Sequence, residues 1–118
     1  MTISEIKTMI KGLGLPCTYY SFPEGTDQVP PYVVWFFDNS DDLYADNTNY
    51  QRIETLNIEL YTRYKDFDTE ASIEAAINSA GFSFYKEVNY IASEKMYQTA
   101  YEMEVLITPE APELITST

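Results

Sequence analysis

The segment Arg52–Thr62 reads R-I-E-T-L-N-I-E-L-Y-T and alternates apolar and polar residues more regularly than any other part of the chain. Leu56, Ile58 and Leu60 fall on one face of an extended strand, and the polar residues between them fall on the other. The alternation therefore predicts a half-buried strand in the middle of a sheet, with Ile58 in the core.

Four other segments are predicted to form strands around it. Tyr32–Phe37 is a continuous apolar run, Y-V-V-W-F-F, which suits a strand covered on both faces and lying beside the central one. Cys17–Phe22 is short, aromatic and followed by Pro23, so it is predicted to be the first strand. Phe82–Ser93 and Tyr97–Ile107 are predicted to form a closing hairpin, and the alternation in the last strand gives it one core face and one acidic, wet face.

Two helices are predicted from capping signals and helical spacing. Thr2 and Glu5 form a capping box at the start of a helix over Ile3–Lys11. Asp68 is the expected N-cap of a second helix, which Gly81 ends. The apolar stripe of the second helix consists of Ile73, Ala76, Ile77 and Ala80.

The predicted order of elements is α-β-β-β-α-β-β. This order indicates an α+β fold with two layers, in which two helices cover a mainly antiparallel sheet of about five strands. We predict a single domain over residues 1–107 and a flexible C-terminal tail over residues 108–118. A chain of 118 residues buries on the order of two-thirds of its unfolded surface, so it can fold without disulfides or a structural metal.

The charge balance excludes several classes of partner. The chain has 19 acidic and 7 basic residues, for a formal net charge of −12. General binding to a phosphate backbone or to an anionic membrane surface is therefore not expected, since it depends on Lys and Arg. Glu5 and Lys7 lie where a signal peptide would need an apolar core, so we expect a protein that is intracellular when made and is not secreted. The longest apolar run is far shorter than the ~20 residues that span a bilayer.

The residues needed for catalysis are scarce. The sequence has no His, which removes the commonest general base and the commonest metal ligand. Cys17 is the single cysteine, so no internal disulfide can form, and we expect it to pack near the core. We predict no catalytic residue, no cofactor and no metal site. The 11 tyrosines either serve surfaces that become buried in a complex or simply favour strands, and the sequence leaves both interpretations open.

The segment Asp38–Asn49 is acidic, lacks periodicity and is predicted to be an exposed, mobile loop. Three of its residues have the one-three-five spacing of a calcium loop. The sixth position is Leu43 rather than Gly and the twelfth is Asn49 rather than Glu, so the motif fails and only weak, opportunistic cation binding remains. We expect the loop and the tail to contact partners. The candidate partner-binding residues are Asp38, Asp41, Asp42, Tyr44, Asp46, Leu114 and Ile115.

Several segments carry a resemblance to a known family. They are L-G-L-P-C after the first helix, F-P-E-G from Phe22, P-Y-V-V-W-F from Pro31, N-I-E-L-Y-T from Asn57 and S-E-K-M-Y-Q-T-A-Y-E-M-E-V from Ser93. With these segments the chain resembles the tail-terminator proteins of long-tailed phages and prophages of Gram-positive bacteria. These proteins are also called tail-completion, head-tail joining or minor capsid proteins, and the resemblance extends to Ile107.

The resemblance implies a structural protein that is made in the host bacterial cytoplasm and is located in the tail or neck of the virion. It implies a hexameric ring of this chain that caps the tail tube protein and presents its other face to the head-tail connector protein. DNA would pass through the lumen, where negative charge lets it slide. Strand edges are candidates for the contacts within the ring.

Two alternatives come from other functional classes. An acidic DNA mimic would occupy the DNA site of a host enzyme, a hypothesis suggested by the net charge of −12. A metal-dependent hydrolase would use Asp38, Asp41 and Asp42, would require tight stoichiometric metal and activity that is lost when those residues are replaced, and ranks last. A ring subunit should oligomerise or bind tail tubes, whereas a mimic should stay small and titrate a DNA-binding enzyme.

Overall fold

The computed structural model describes residues 1–23, 28–38 and 52–109. Its elements are α1 (Ile3–Lys11), β1 (Cys17–Tyr19), β2 (Tyr32–Phe37), β3 (Arg52–Thr62), α2 (Phe67–Ser79), β4 (Tyr85–Ile91) and β5 (Met96–Ile107). This order confirms the predicted α+β fold. None of the described helices is both long and apolar enough to cross a bilayer.

The strand β3 lies at the centre of a five-stranded sheet of order β1-β2-β3-β5-β4. It pairs antiparallel with β2 on one side and with β5 on the other, whereas β1 runs parallel to β2. Both β3 and β4 are antiparallel to β5, so they run in the same direction. The connection from β3 to β4 through α2 therefore crosses over the position of β5. The chain then returns as β5, which lies between β3 and β4.

The core lies between one face of the sheet and both helices. Leu56, Ile58 and Leu60 are at most 1% exposed, as the alternation in β3 predicts. They form one apolar cluster with isoleucines from both helices and with residues of β2 and β5. The isoleucines are Ile6, Ile10, Ile73 and Ile77. Because both helices bury their stripes against the same face, the domain has two layers.

The middle of β2 is buried on both faces of the sheet. Val33 and Trp35 belong to the helix-covered core, and Val34 points the other way but is only 8% exposed. Trp35 is the single tryptophan of the chain and is 5% exposed. Its ring lies edge-on to Tyr19 at 4.8 Å between centroids and to Phe37 at 6.0 Å. Aromatic packing thus fixes β1 against β2 near α1.

The structure confirms the predicted N-cap of α1 and contradicts the predicted N-cap of α2. Thr2 Oγ1 accepts the Glu5 N–H at 3.1 Å and Glu5 Oε1 accepts the Thr2 N–H at 2.8 Å, which confirms the capping box. The prediction that Asp68 caps α2 is wrong. Asp66 is the N-cap, because its carboxylate accepts both the side-chain hydroxyl and the backbone N–H of Thr69, at 2.7 and 3.1 Å. These hydrogen bonds lower the pKa of Asp66.

The first strand is shorter than predicted. It ends at Tyr19 rather than at Phe22, because Tyr20 has a φ of 71° and the Ser21 N–H bonds back to the Tyr19 carbonyl at 2.8 Å. A left-handed residue breaks the extended path of a strand. The edge strand β1 therefore has an extended backbone over only three residues.

The closing hairpin is confirmed with different bounds. β4 covers Tyr85–Ile91 rather than Phe82–Ser93, because Phe82 and Phe84 pack against the core before the strand begins. β5 begins at Met96, one residue earlier than predicted. As predicted, Glu102 is exposed between buried neighbours.

The capping box supports a stability prediction. The Thr2→Ala variant loses the side-chain oxygen that accepts the Glu5 N–H, and we expect it to unfold about 1 kcal/mol more easily in urea. Thr8→Ala is the matched control, because the exposed Thr8 hydroxyl only donates to the Ser4 carbonyl within the same helix. Equal urea midpoints for the two variants would contradict a stabilising cap.

Candidate interaction surface

One face of the sheet carries no helix within the described residues. We call this surface the open face. It is formed by the even positions of β2 (32–36) and β5 (98–106) and the odd positions of β3 (53–61) and β4 (85–91). These positions alternate with the core positions, as the pleat of a strand requires.

The charged residues at these open-face positions are all carboxylates. They are Glu59, Glu87, Glu102 and Glu104. The strand register places Glu102 opposite Asn57, Glu104 opposite Thr55, and both Glu59 and Glu87 opposite Ala100, so none of the four carboxylates faces a cation across these pairs. The open face therefore concentrates part of the net charge of −12 and disfavours phosphate backbones.

A cluster of aromatic rings lies at the β2–β3 end of the open face. Tyr32 stacks on Tyr61 with centroids 4.9 Å apart, and Phe22 lies edge-on to Tyr32 at 5.4 Å. The Tyr61 hydroxyl donates to Glu59 Oε1 and accepts from Gln98 Nε2, both at 2.8 Å. Burial, with Glu59 adding to it, raises the pKa of Tyr61 to about 12. These half-buried rings are held in place and can contact a partner at small entropic cost.

The buried carboxylate of Glu70 is the feature that most resembles a catalytic group. Glu70 is 2% exposed, yet its Oε2 lies 2.6 Å from Lys65 Nζ and its Oε1 lies 2.9 Å from Lys86 Nζ. Burial acts to raise the pKa of Glu70, but the hydrogen bonds and charges of the two lysines outweigh it, so the pKa falls below its usual value. A carboxylate held ionised by two ammonium groups is a weak base.

The groups around Glu70 complete a clamp between α2 and the hairpin. Lys86 Nζ also lies 2.7 Å from Glu74 Oε2, and the Tyr101 hydroxyl donates to the same oxygen at 2.9 Å. Burial, reinforced by Glu74, raises the pKa of Tyr101 and makes the phenol a poor acid. The Thr99 hydroxyl lies 3.4 Å from Glu70 Oε2. These contacts tie α2 to β4 and β5, which is a structural role.

Sequence reasoning missed this clamp, although one signal for it is present. Glu70 lies three positions before Ile73 and seven before Ile77, on the apolar stripe of α2. A carboxylate in that stripe must be paired once it is buried. The sequence does not identify Lys86 as the partner, because that contact depends on α2 crossing β5.

Most of the predicted partner-binding residues lie outside the described part of the chain. Asp38 is described and exposed, and its N–H donates to the Thr55 carbonyl at 2.8 Å, which extends the β2–β3 pairing. The remaining candidates lie outside the described residues. They are Asp41, Asp42, Tyr44, Asp46, Leu114 and Ile115.

The described residues also provide information on metal binding and on Cys17. Over residues 1–23, 28–38 and 52–109, no three residues of the types His, Cys, Asp and Glu are grouped so that they could hold a metal ion. Cys17 is a free thiol, partly buried and packed against the core, as predicted. The open face and the two edges of its sheet are the candidate interaction surfaces among the described residues.

Comparison with known proteins gives a structural likeness. No family model and no curated protein sequence matches this chain. Among solved structures, a chain from the virion of a native gene transfer agent particle matches with a TM-score of 0.53 and 16% sequence identity. The match covers 86% of this chain and 84% of the other chain. At this identity the likeness establishes a shared fold over most of both chains.

Proposed function

We propose that this protein is a non-enzymatic structural component of a phage-type virion. The fold match to a chain of a gene transfer agent virion carries the proposal, because it covers 86% of this chain and 84% of that chain. Coverage of this extent on both sides is a likeness between whole domains rather than between two common motifs. The family resemblance noted in the sequence supports the same class of protein.

Within the virion, we assign the protein to the end of the tail, as a tail terminator or neck component. In this role a hexameric ring of the chain caps the tail tube protein on one side and meets the head-tail connector protein on the other. The net charge of −12 and the carboxylates of the open face support it, since an acidic ring lets DNA pass without binding it.

The arrangement of the buried polar groups supports a role without catalysis. The pKa of Glu70 is lowered and that of Tyr101 is raised, and both groups make contacts that join α2 to the hairpin. A general acid or base needs a pKa near the working pH. The pKa shifts of Glu70 and Tyr101 both lead away from neutral pH.

Electron microscopy of the purified protein mixed with tail tubes tests this function. With tubes that lack a terminator, we expect one ring-shaped cap at one end of each tube. Naturally capped tubes are the control, and should bind no further protein. Tubes that remain bare at saturating protein, or protein bound along their whole length, would contradict the assignment.

An acidic DNA mimic is the second candidate, and the four open-face carboxylates favour it. A mimic presents negative charge on an exposed surface in place of a phosphate backbone. It should inhibit a DNA-binding enzyme in a stoichiometric titration and should ignore tail tubes. Tube capping without such inhibition selects the virion role, and the reverse selects the mimic.

A further inference from the structure

The outer edge of β4 is a candidate site for strand pairing. β4 is the last strand of the sheet order, and no described segment pairs with its outer side. All seven residues, Tyr85–Ile91, pair in unbroken register with β5, without a bulge. Six of them are exposed. Such an edge presents free backbone N–H and C=O groups to any second strand.

The usual means of protecting an edge are weak here. The sequence Y-K-E-V-N-Y-I has no proline and no glycine. Its lysine, Lys86, is directed to Glu70 and Glu74, 2.9 and 2.7 Å away, so its charge is held under α2 rather than projected along the edge. Tyr85, Val88 and Tyr90 are 66%, 39% and 54% exposed. Soluble proteins normally shield a regular apolar edge with charge, proline or a bulge.

The opposite edge of the sheet, formed by β1, is too short to pair with the whole of β4. β1 has three residues, and Tyr20, with its φ of 71°, ends the extended backbone directly after it. A seven-residue strand would leave most of its edge groups unpaired against β1. The strand of matching length and exposure is β4 itself in a second copy of the chain.

We propose that β4 pairs with β4 of a second copy of this chain, antiparallel and centred on Val88. A twofold axis perpendicular to the sheet relates the two strands, so that each residue faces a residue of the same side of the sheet. The opposed pairs are Val88 with Val88, Glu87 with Asn89, Lys86 with Tyr90 and Tyr85 with Ile91. This register uses all seven residues and places no like charges opposite one another.

Neighbouring symmetric registers are less favourable. Centring the pair on Glu87 would place two carboxylates directly opposite each other, and centring it on Lys86 would do the same with two ammonium groups. Centring it on Asn89 would leave Tyr85 and Lys86 without partners within β4. The register centred on Val88 is therefore the most favourable of the four.

The result is a continuous ten-stranded sheet whose four helices lie on one side. An isologous contact of this kind closes at two copies, so it describes the free protein and does not depend on the proposed role in the virion. Each copy carries a net charge of −12, so mutual repulsion opposes the contact. Added salt screens this repulsion and should strengthen the pair.

Sedimentation velocity over a range of protein and salt concentrations tests the pair. We expect reversible dimers that become more stable as salt is raised. The Val88→Lys variant places two ammonium groups at the twofold axis and should weaken dimerisation by roughly tenfold or more. Tyr64→Lys is the matched control, since Tyr64 is 68% exposed, lies outside β4 and undergoes the same change in charge.

A cross-linking experiment tests the register. In a Cys17→Ser background, the Val88→Cys variant should form a disulfide-linked dimer under mild oxidation, because its two thiols face each other across the axis. The Asn89→Cys variant should not, since that position faces Glu87 of the other copy and the two introduced thiols are not opposite each other. A monomeric wild-type protein, equal dimerisation of the two lysine variants, or equal cross-linking at both positions would each overturn the proposal.

Discussion

The Ile58→Asp variant is expected to lose its folded structure. Ile58 is 1% exposed at the centre of β3, between Trp35 of β2 and Tyr101 of β5. A carboxylate at this position would be buried without a partner, which we expect to destabilise the domain by about 4 kcal/mol or more. Circular dichroism and urea titration measure the effect directly, and we expect the variant to be unfolded without denaturant or to have a much lower midpoint.

Ile53→Asp provides the matched control for this substitution. Ile53 lies on the same strand and undergoes the same chemical change, but its side chain is 53% exposed and points away from the core. It is opposite Leu106, so the new carboxylate meets no like charge in the pair. We expect a change within about 0.5 kcal/mol. If both variants were equally stable, the burial of one face of β3 would be wrong.

Removing the carboxylate of Glu70 should have the second largest effect. The Glu70→Ala variant leaves Lys65 and Lys86 without their shared partner and opens a gap between α2 and the hairpin. Breaking a buried ion pair from one side typically costs about 3 to 5 kcal/mol, and we expect the low end because both lysines can turn toward water. Urea denaturation measures the loss. Glu87→Ala, an exposed glutamate on β4, is the control and should change little.

The pH dependence of stability provides an independent readout of the same clamp. The folded pKa of Glu70 lies below the ordinary value of 4.5, so its contribution is complete above 4.5 and disappears as pH falls through the folded value. Lys86 behaves oppositely: its pKa lies above 10.5, chiefly because of Glu74, so its contribution is present below 10.5 and disappears at higher pH. The Glu70→Ala variant should therefore lose less stability on acidification than the wild type. Parallel acid profiles would contradict this assignment.

The sequence predicts the elements of this fold well where a local pattern has a single explanation. The alternation in Arg52–Thr62 identified the buried face of β3 and its central place in the sheet. The capping box at Thr2 and Glu5 located the start of α1. In both cases the deciding interactions lie within a few residues, so local spacing is sufficient.

The remaining features depend on contacts between distant residues or on close local competition. The sequence predicted Asp68 as the cap of α2, whereas Asp66 takes this position because its carboxylate accepts the hydroxyl and N–H of Thr69. The clamp at Glu70 requires the strand order β3-β5-β4, which no single segment encodes. The free edge of β4 follows from that same order. The sequence therefore predicted an acidic, wet face on β5 and contacts at strand edges, but it did not show which strands form those edges.

The position of Trp35 gives this protein an intrinsic optical reporter. The single indole is enclosed between Tyr19 and Phe37 on the α1 side, three strands away from β4. Its fluorescence should change when the indole becomes hydrated on denaturation and should be unaffected by events at the far edge. Emission spectra can thus follow folding while sedimentation follows association, without attaching a dye to the protein.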